Sequence, residues 1–395
     1  MTESQANIHH YVPQWYQRQF LLPGQEKLFV LDLTPPPILR PDGSFVKNPD
    51  GKVKHYPPVR PLATSEAFQQ EHLYTTKLFG KPSDIIEKRL FGKIDTAAAR
   101  LIPTFVMQGW EELPKHGYDK MMAYIDIQRL RTPAGLDFIR KLGQRIYGYL
   151  FSQNTLMMLM QQIRNMHITM WAEGFHEIVS AEDSDIKFIV SDQPVTFYNC
   201  AAFPGSKWCA YPNDPDFRWE GTQTIFATDP NHCMIFTHHD FAHGHKTLNP
   251  LKNRINARSF QPTIHRLHDW IRKRKLDRRE VAAINFLLKS RAKKFIAAGN
   301  KDWLYPEKDA FTTHWSKLKR LTIPKEPLGR MGDTFLGYED GSVYHQDVYG
   351  RQTLTPEQAK EEAARMKRQL DQILKKDRAK KLAAEQETAS AESID

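Results

Sequence analysis

The chain has 395 residues, 40% of them hydrophobic and 26% charged, which is enough for one large domain or two with sizeable cores. No apolar run approaches the roughly 18 residues that a membrane-spanning helix needs. The opening stretch lacks the basic and apolar regions of a secretory signal, so no membrane and a cytoplasmic location are expected. The net charge of +10 is concentrated, because residues 266–320 carry 16 Lys and Arg against 6 Asp and Glu. A local basic field of this kind makes nucleic acid a candidate partner. The three cysteines, Cys200, Cys209 and Cys233, are an odd count at spacings that fit no zinc pattern, and they read as packing thiols.

Along the chain, Pro13 suits the first turn of a short helix with Tyr16 and Phe20 on one face. Residues 28–32 read as a strand, followed by an exposed hairpin-like excursion with turn signals at 41–43 and 49–51. A helix is expected over 83–100 and a long helical region over 118–173, interrupted near Thr132 and Pro133. The methionine-rich stretch 150–160 reads as adaptable core. Strands are expected at 186–190, 225–227 and 233–237, then an amphipathic helix over 276–298 ending at Gly299. Asp340-Gly341 marks a hairpin, and a charge-balanced helix opens at Thr355-Pro-Glu. The fold class is α+β: a mostly helical core with a small mixed or antiparallel sheet, plus a C-terminal hairpin and long helix. The expected division is a core over 1–300, a linker over 301–327, a hairpin appendage over 328–355 and a solvated helix with a disordered end over 356–395.

His9-His-Tyr-Val-Pro13, continued by Tyr16, Arg18 and Phe20, resembles the opening of a largely bacterial family, domain-of-unknown-function family 4238. The resemblance continues at Tyr74-Thr75, Gln128-Arg-Leu-Arg-Thr-Pro133, Ser191-Asp-Gln-Pro194, Asn285 through Ala292, and Phe295, and covers 9–298. It implies no particular activity; it marks residues to examine.

Several of those residues have chemistry. His9 and His10 precede a helix whose positive end would keep an imidazole neutral, fit for a metal ligand or general base. Asp192 ends a strand, where α/β proteins place ligands and catalytic groups, although Asp before x-Pro equally forms turns. On helical wheels Gln128 sits among Met121, Tyr124 and Ile125, with Arg131 at the edge, and Asn285 sits among Val281, Ile284 and Leu288. A buried amide must meet a partner, in the core or on a ligand; a shared pocket of Gln128, Arg131 and Asn285 would offer the arginine fork to a phosphate or carboxylate. The five histidines between His232 and His245 read as a surface loop with adventitious metal affinity. No P-loop, dinucleotide-binding glycine triplet or Gly-x-Ser-x-Gly elbow occurs.

Together these point first to a metal-assisted, nuclease-like phosphodiester hydrolase acting on nucleic acid. His9, His10 and Asp192 would be catalytic, with a divalent ion on His10 and Asp192, and Gln128, Arg131 and Asn285 would orient the substrate. The alternative is a non-catalytic regulatory protein. It would contact nucleic acid through Arg272, Lys273, Arg274, Lys275, Arg278 and Arg279, or a protein partner or second copy through the C-terminal helix.

Overall fold

A computed structural model describes residues 8–71, 73, 76–78, 81–83, 92–109, 111–148, 152–257, 270–272, 274–325, 333–347 and 352–392. The chain divides into two compact units, residues 1–328 and 329–395. The first opens with β1 (Ile8–His10), α1 (Gln14–Arg18), β2 (Lys27–Asp32), β3 (Val59–Ala63), β4 (Gln69–Glu71), β5 (Thr76–Leu78) and β6 (Lys81–Ser83). Four helices follow, α2 (Gly92–Gln108), α3 (Gly117–Leu130), α4 (Pro133–Tyr147) and α5 (Gln153–Ala172), then β7 (Gly174–Ser180), β8 (Val190–Ser191), β9 (Val195–Tyr198), β10 (Gln223–Ala227) and β11 (His232–His238). The unit closes with α6 (His239–Gly244), β12 (Trp270–Ile271), α7 (Arg278–Arg291), β13 (Phe295–Ala298) and α8 (Trp315–Thr322). The second unit pairs β14 (Thr334–Gly337) with β15 (Val343–Gln346) and carries α9 (Pro356–Glu392).

The architecture is α+β. Five strands form one sheet in the order β12-β7-β11-β10-β9, antiparallel except for the β12–β7 pair, and four form an antiparallel sheet in the order β3-β2-β13-β8. Local chemistry sets the helix ends. Thr132 caps α4 by accepting the Gly135 N–H, with Pro133 at the first turn, and capping boxes open α5 at Ser152 and α7 at Asp277. Tyr16 of α1 stacks on Phe226 of β10 with centroids 5.4 Å apart, meets Phe20 edge-on at 5.3 Å, and donates its hydroxyl hydrogen to the Ala227 carbonyl. The excursion after β2 is a ladder of isolated bridges, Pro37 to His55, Leu39 to Phe45 and Lys47 to Val53, with Gly43 and Gly51 at φ 82° in its turns.

Four expected elements differ. Residues 292–298 do not extend α7: the chain turns after Arg291 and returns as β13, hydrogen-bonded on both edges, to β2 and β8. The strand expected over 186–190 is reduced to Val190–Ser191, because the preceding N–H groups bond elsewhere: Phe188 to the Pro230 carbonyl and Ile189 to the Asn285 side chain. Helix α2 spans Gly92–Gln108, while residues 84–91 of the expected 83–100 helix lie outside the described ones. The expected linker over 301–327 instead contains α8 and buries Trp303, Leu304, Leu318 and Leu321 in the main core.

Asn285 joins α7 to the segment before β8. Its Oδ1 accepts the Ile189 N–H at 3.2 Å and its Nδ2 donates to the Lys187 carbonyl at 2.8 Å. Asn285→Ala leaves both backbone groups buried without these partners, so urea unfolding should show a loss of about 2–4 kcal/mol. A loss below about 0.5 kcal/mol, the range of neutral surface changes, would show that the amide has no such role.

Candidate functional site

The N-terminal motif is a strap. Strand β1 pairs with β4, His9 is fully buried and His10 is half-buried. The His10 Nε2 lies 3.1 Å from the Ser65 carbonyl oxygen and 3.5 Å from the Gln14 amide nitrogen. Its pKa lies below the usual histidine value, as the sequence suggested, but burial is the main cause, partly opposed by the Ser65 hydrogen bond. Helix α1, only five residues long, contributes no side-chain cap at Pro13.

Gln128 and Arg131 meet behind the strap. Gln128 Nε2 donates to the Tyr11 carbonyl at 3.0 Å, while its Oε1 accepts the Arg131 Nε–H at 2.8 Å and a second hydrogen bond from Nη2. Arg131 Nη1 donates to both Asp95 carboxylate oxygens, at 2.9 and 2.8 Å, and the guanidinium lies 5.6 Å over the Tyr124 ring. The fork expected to greet a phosphate thus holds the protein's own carboxylate on α2. Asn285 bonds to residues 187 and 189 and does not join this network, so the anticipated three-residue pocket resolves into two separate structural bonds.

Asp192 is a third staple. Its Oδ1 accepts the Lys293 N–H at 2.9 Å, and its Oδ2 accepts those of Lys294 and Phe295 at 2.6 and 2.9 Å. Burial pushes its carboxyl up to about 6, against the pull of these three donors and the Lys293 charge. The carboxylate fixes the turn from α7 into β13, which explains why the helix stops. Both Asp192 oxygens accept backbone hydrogen bonds, and His10 has Ser65 and Gln14 as neighbours. Among the described residues no three His, Cys, Asp or Glu side chains are grouped so as to hold a metal ion.

The basic run 272–279 is divided by burial. Arg274 is buried and grips Glu177 of β7 with Nε and Nη2 at 2.6 and 2.5 Å, its Nη1 donating to the Leu321 carbonyl at 2.7 Å. Arg272 donates to the Val106 carbonyl. Lys275 pairs with Asp183 at 2.7 Å and Arg278 with Asp185, both on the exposed surface, and Arg278 also reaches the half-buried Asp309 at 3.1 Å. Lys273 lies outside the described residues, and Arg279 is exposed. The cluster is therefore no uniform phosphate-facing stripe.

The sequence reading missed the polar network around α5, which faces α3 on one side and the five-stranded sheet on another. His167 Nδ1 lies 2.7 Å from Asp126, which also receives Arg164 at 3.2 Å, and Arg254 pairs with Glu173 at 2.6 Å. Beside them lies a small cavity of about 20 Å³, room for one water, lined by His167, Thr224, Thr237, His238 and Arg254 among others. Only one signal pointed here: Asp126 sits between apolar Ile125 and Ile127 on α3, where a solvated face would not be. The histidine-rich stretch is likewise not a loop. Residues 232–238 are strand β11, and the buried His239 ring stacks on Phe175 at 5.5 Å with His243 edge-on to the same ring at 5.4 Å.

One concavity large enough for a ligand is a groove of about 420 Å³. Trp15 and Gln19 of the N-terminal segment form one wall, and Ile102, Pro103, Val106 and Met107 of α2 form another. Glu182, Lys187, Asp229 and His232 provide the polar side. Lys187 Nζ is held by the Ala181 and Glu182 carbonyls at 2.6 and 3.0 Å. His232 Nδ1 sits 3.0 Å from Asp229. Burial pulls the His232 pKa down, but the hydrogen bond and charge of Asp229, with Glu182, outweigh it and leave the pKa above the usual value.

The fold and its strap define an α+β protein whose motif residues tie an N-terminal segment, a helical layer and two sheets together. The chain belongs to the family described as Protein of unknown function (DUF4238), whose model matches residues 8–302. No curated protein and no solved structure matches it.

Two stability measurements separate core from surface. Arg274→Ala removes the bidentate arginine from a buried Glu177 and should cost about 3–5 kcal/mol in urea unfolding, whereas Lys275→Ala, on an exposed pair, should change stability by about 0.5 kcal/mol or less. Comparable costs would show that burial does not set the two residues apart. For His238, burial, reinforced by Arg254, holds the pKa well below the usual value. The unfolded chain therefore binds this proton first, and stability should fall as pH drops below about 6.5. His238→Gln cannot titrate there, so its thermal midpoint should vary less steeply between pH 7 and 5; equal slopes would remove His238 as a contributor.

Proposed function

We propose that this chain is a non-catalytic binding protein, with the groove over Trp15 and Met107 as its recognition surface. The supporting observation is the groove itself: about 420 Å³, walled by the helix that follows the His-His-Tyr-Val-Pro opening. That volume suits a small molecule with an apolar body, within the range of about 300–1,000 Å³ typical of ligand pockets. Its polar end would face His232, whose ring Asp229 orients. Meanwhile Asp192, Gln128, Arg131 and Asn285 all make hydrogen bonds within the fold, which is the behaviour of a scaffold.

The competing proposal is the metal-assisted phosphodiester hydrolase. It draws on the half-exposed His10, whose lowered pKa keeps the ring neutral and able to bind a divalent ion. Nucleic acid remains a proposed partner at the exposed Lys275, Arg278 and Arg279, where the ion pairs of Lys275 and Arg278 exchange readily for phosphates and binding would weaken steeply with salt. A protein partner or second copy on α9 draws on Met366, Leu370 and Leu374, exposed at four-residue spacing.

Two measurements decide between the first two readings. Nile red, a neutral apolar dye, should bind saturably and at least tenfold more weakly to Met107→Glu, whose side chain is 65% exposed and whose folding should be unaffected. Unchanged binding would remove the groove as the recognition surface. Elemental mass spectrometry of untagged protein should find no metal that depends on His10. A near-stoichiometric metal lost in His10→Ala would overturn the binding reading in favour of the hydrolase.

A further inference from the structure

Away from the groove, with no residue in common with it, two arginines converge on one carboxylate. Arg129 near the end of α3 and Arg291 at the end of α7 both pair with Asp214, which lies in the loop between β9 and β10. All three are enclosed, with side-chain exposures of 2%, 10% and 5%. The Arg129 guanidinium lies 5.0 Å over the Phe197 ring, and Arg291 Nη1 donates to the Cys209 Sγ at 2.8 Å.

The charges do not balance. A guanidinium keeps its proton in proteins, and burial pushes the Cys209 thiol up, so it is neutral at pH 7. Two positive charges therefore share one negative charge in a low-dielectric setting, where an uncompensated ion is costly. The hydrogen bonds do not balance either. Arg129 Nε and Nη1 and Arg291 Nε are buried with no acceptor among the described residues. Interior polar groups are otherwise almost always paired, so these three donors call for acceptors that the described residues do not supply. At the same corner of the fold, Lys293 and Arg140 flank Asp137, and Tyr211 donates its hydroxyl hydrogen to the same carboxylate.

We propose that Arg129 and Arg291 form a receptor for one small oxyanion of the phosphate class, for which the Asp214 carboxylate between them is the internal competitor. A tetrahedral oxyanion supplies both missing elements, negative charge and several acceptors in the geometry that arginine forks match. Lys293 and Arg140 add a positive approach at the surface. The anion is either free phosphate or the phosphate group of a larger molecule entering past Tyr211.

Isothermal calorimetry on the full chain at pH 7 and matched ionic strength, with inorganic phosphate and phenyl phosphate as probes, tests this. One saturable site is expected. Binding of inorganic phosphate alone assigns the free anion, and binding of both assigns the group on a larger ligand. Arg129→Gln and Arg291→Gln should each weaken binding at least tenfold; if either unfolds, Arg129→Lys and Arg291→Lys keep the charge and should still lose affinity with the fork. Asp214→Asn removes the competing negative charge and should tighten binding several-fold, a sign that a merely structural ion pair would not give. Absence of saturable binding by both probes, unchanged affinity in the folded arginine variants, or weaker binding in Asp214→Asn overturns the proposal. Each of these outcomes is independent of whether the groove binds Nile red.

Discussion

Arg131 imposes the constraint around which the helical layer and the N-terminal strap are arranged. It is 1% exposed and carries a charge that it cannot shed, so its hydrogens must be met from within. Asp95 meets one nitrogen from α2, Gln128 meets two from α3, and Gln128 then reaches the Tyr11 carbonyl of the strap. Three segments distant in sequence are thereby held to one geometry. An apolar core of similar volume would tolerate small slips between them. A fork with a defined acceptor at each tine does not.

The same device recurs at each seam. Asn285 fastens α7 to the segment before β8, Asp192 fastens β8 to the entry of β13, and Arg274 with Glu177 fastens the approach to α7 onto β7. In every case a side chain satisfies groups that regular secondary structure would otherwise leave open, above all the N–H groups of residues 293–295. Apolar burial supplies the bulk of the driving force, while these polar bonds select among the ways of packing the same elements.

Much of this could be read from the residues, though not its meaning. Gln128 and Asn285 stood out because amides occupied apolar arcs, and the reasoning that each needs a partner was sound. The partners turned out to be backbone groups and a neighbouring arginine, which wheel geometry does not reveal. Asp192 followed the same course: placement at a strand end was visible, but the three amides that it accepts come from a segment about a hundred residues later. Periodicity failed at 292–298 because Ala292, Phe295 and Ala298 continue an apolar helical arc that long-range strand pairing overrides. It failed for β7 because a strand buried on both faces gives no alternation, and His176 and Glu177 disguise it further. The charge run misled for a related reason, since composition counts Arg274 as surface charge when its carboxylate lies on another strand. The Asp126–His167 pair needed the packing of α3 on α5 to be known before it could be seen.

The bridged excursion between β2 and β3 is different in kind. Its rungs are isolated, its tips carry Gly43 and Gly51, and its outer residues face solvent, so little of the core depends on its length. Closing a longer loop costs only about 0.6 kcal/mol for each doubling. This arm is therefore where related chains can drift in size without retuning the fold, and where a peptide epitope or a fluorescent module can be spliced in while the strap, the sheets and the groove stay as they are.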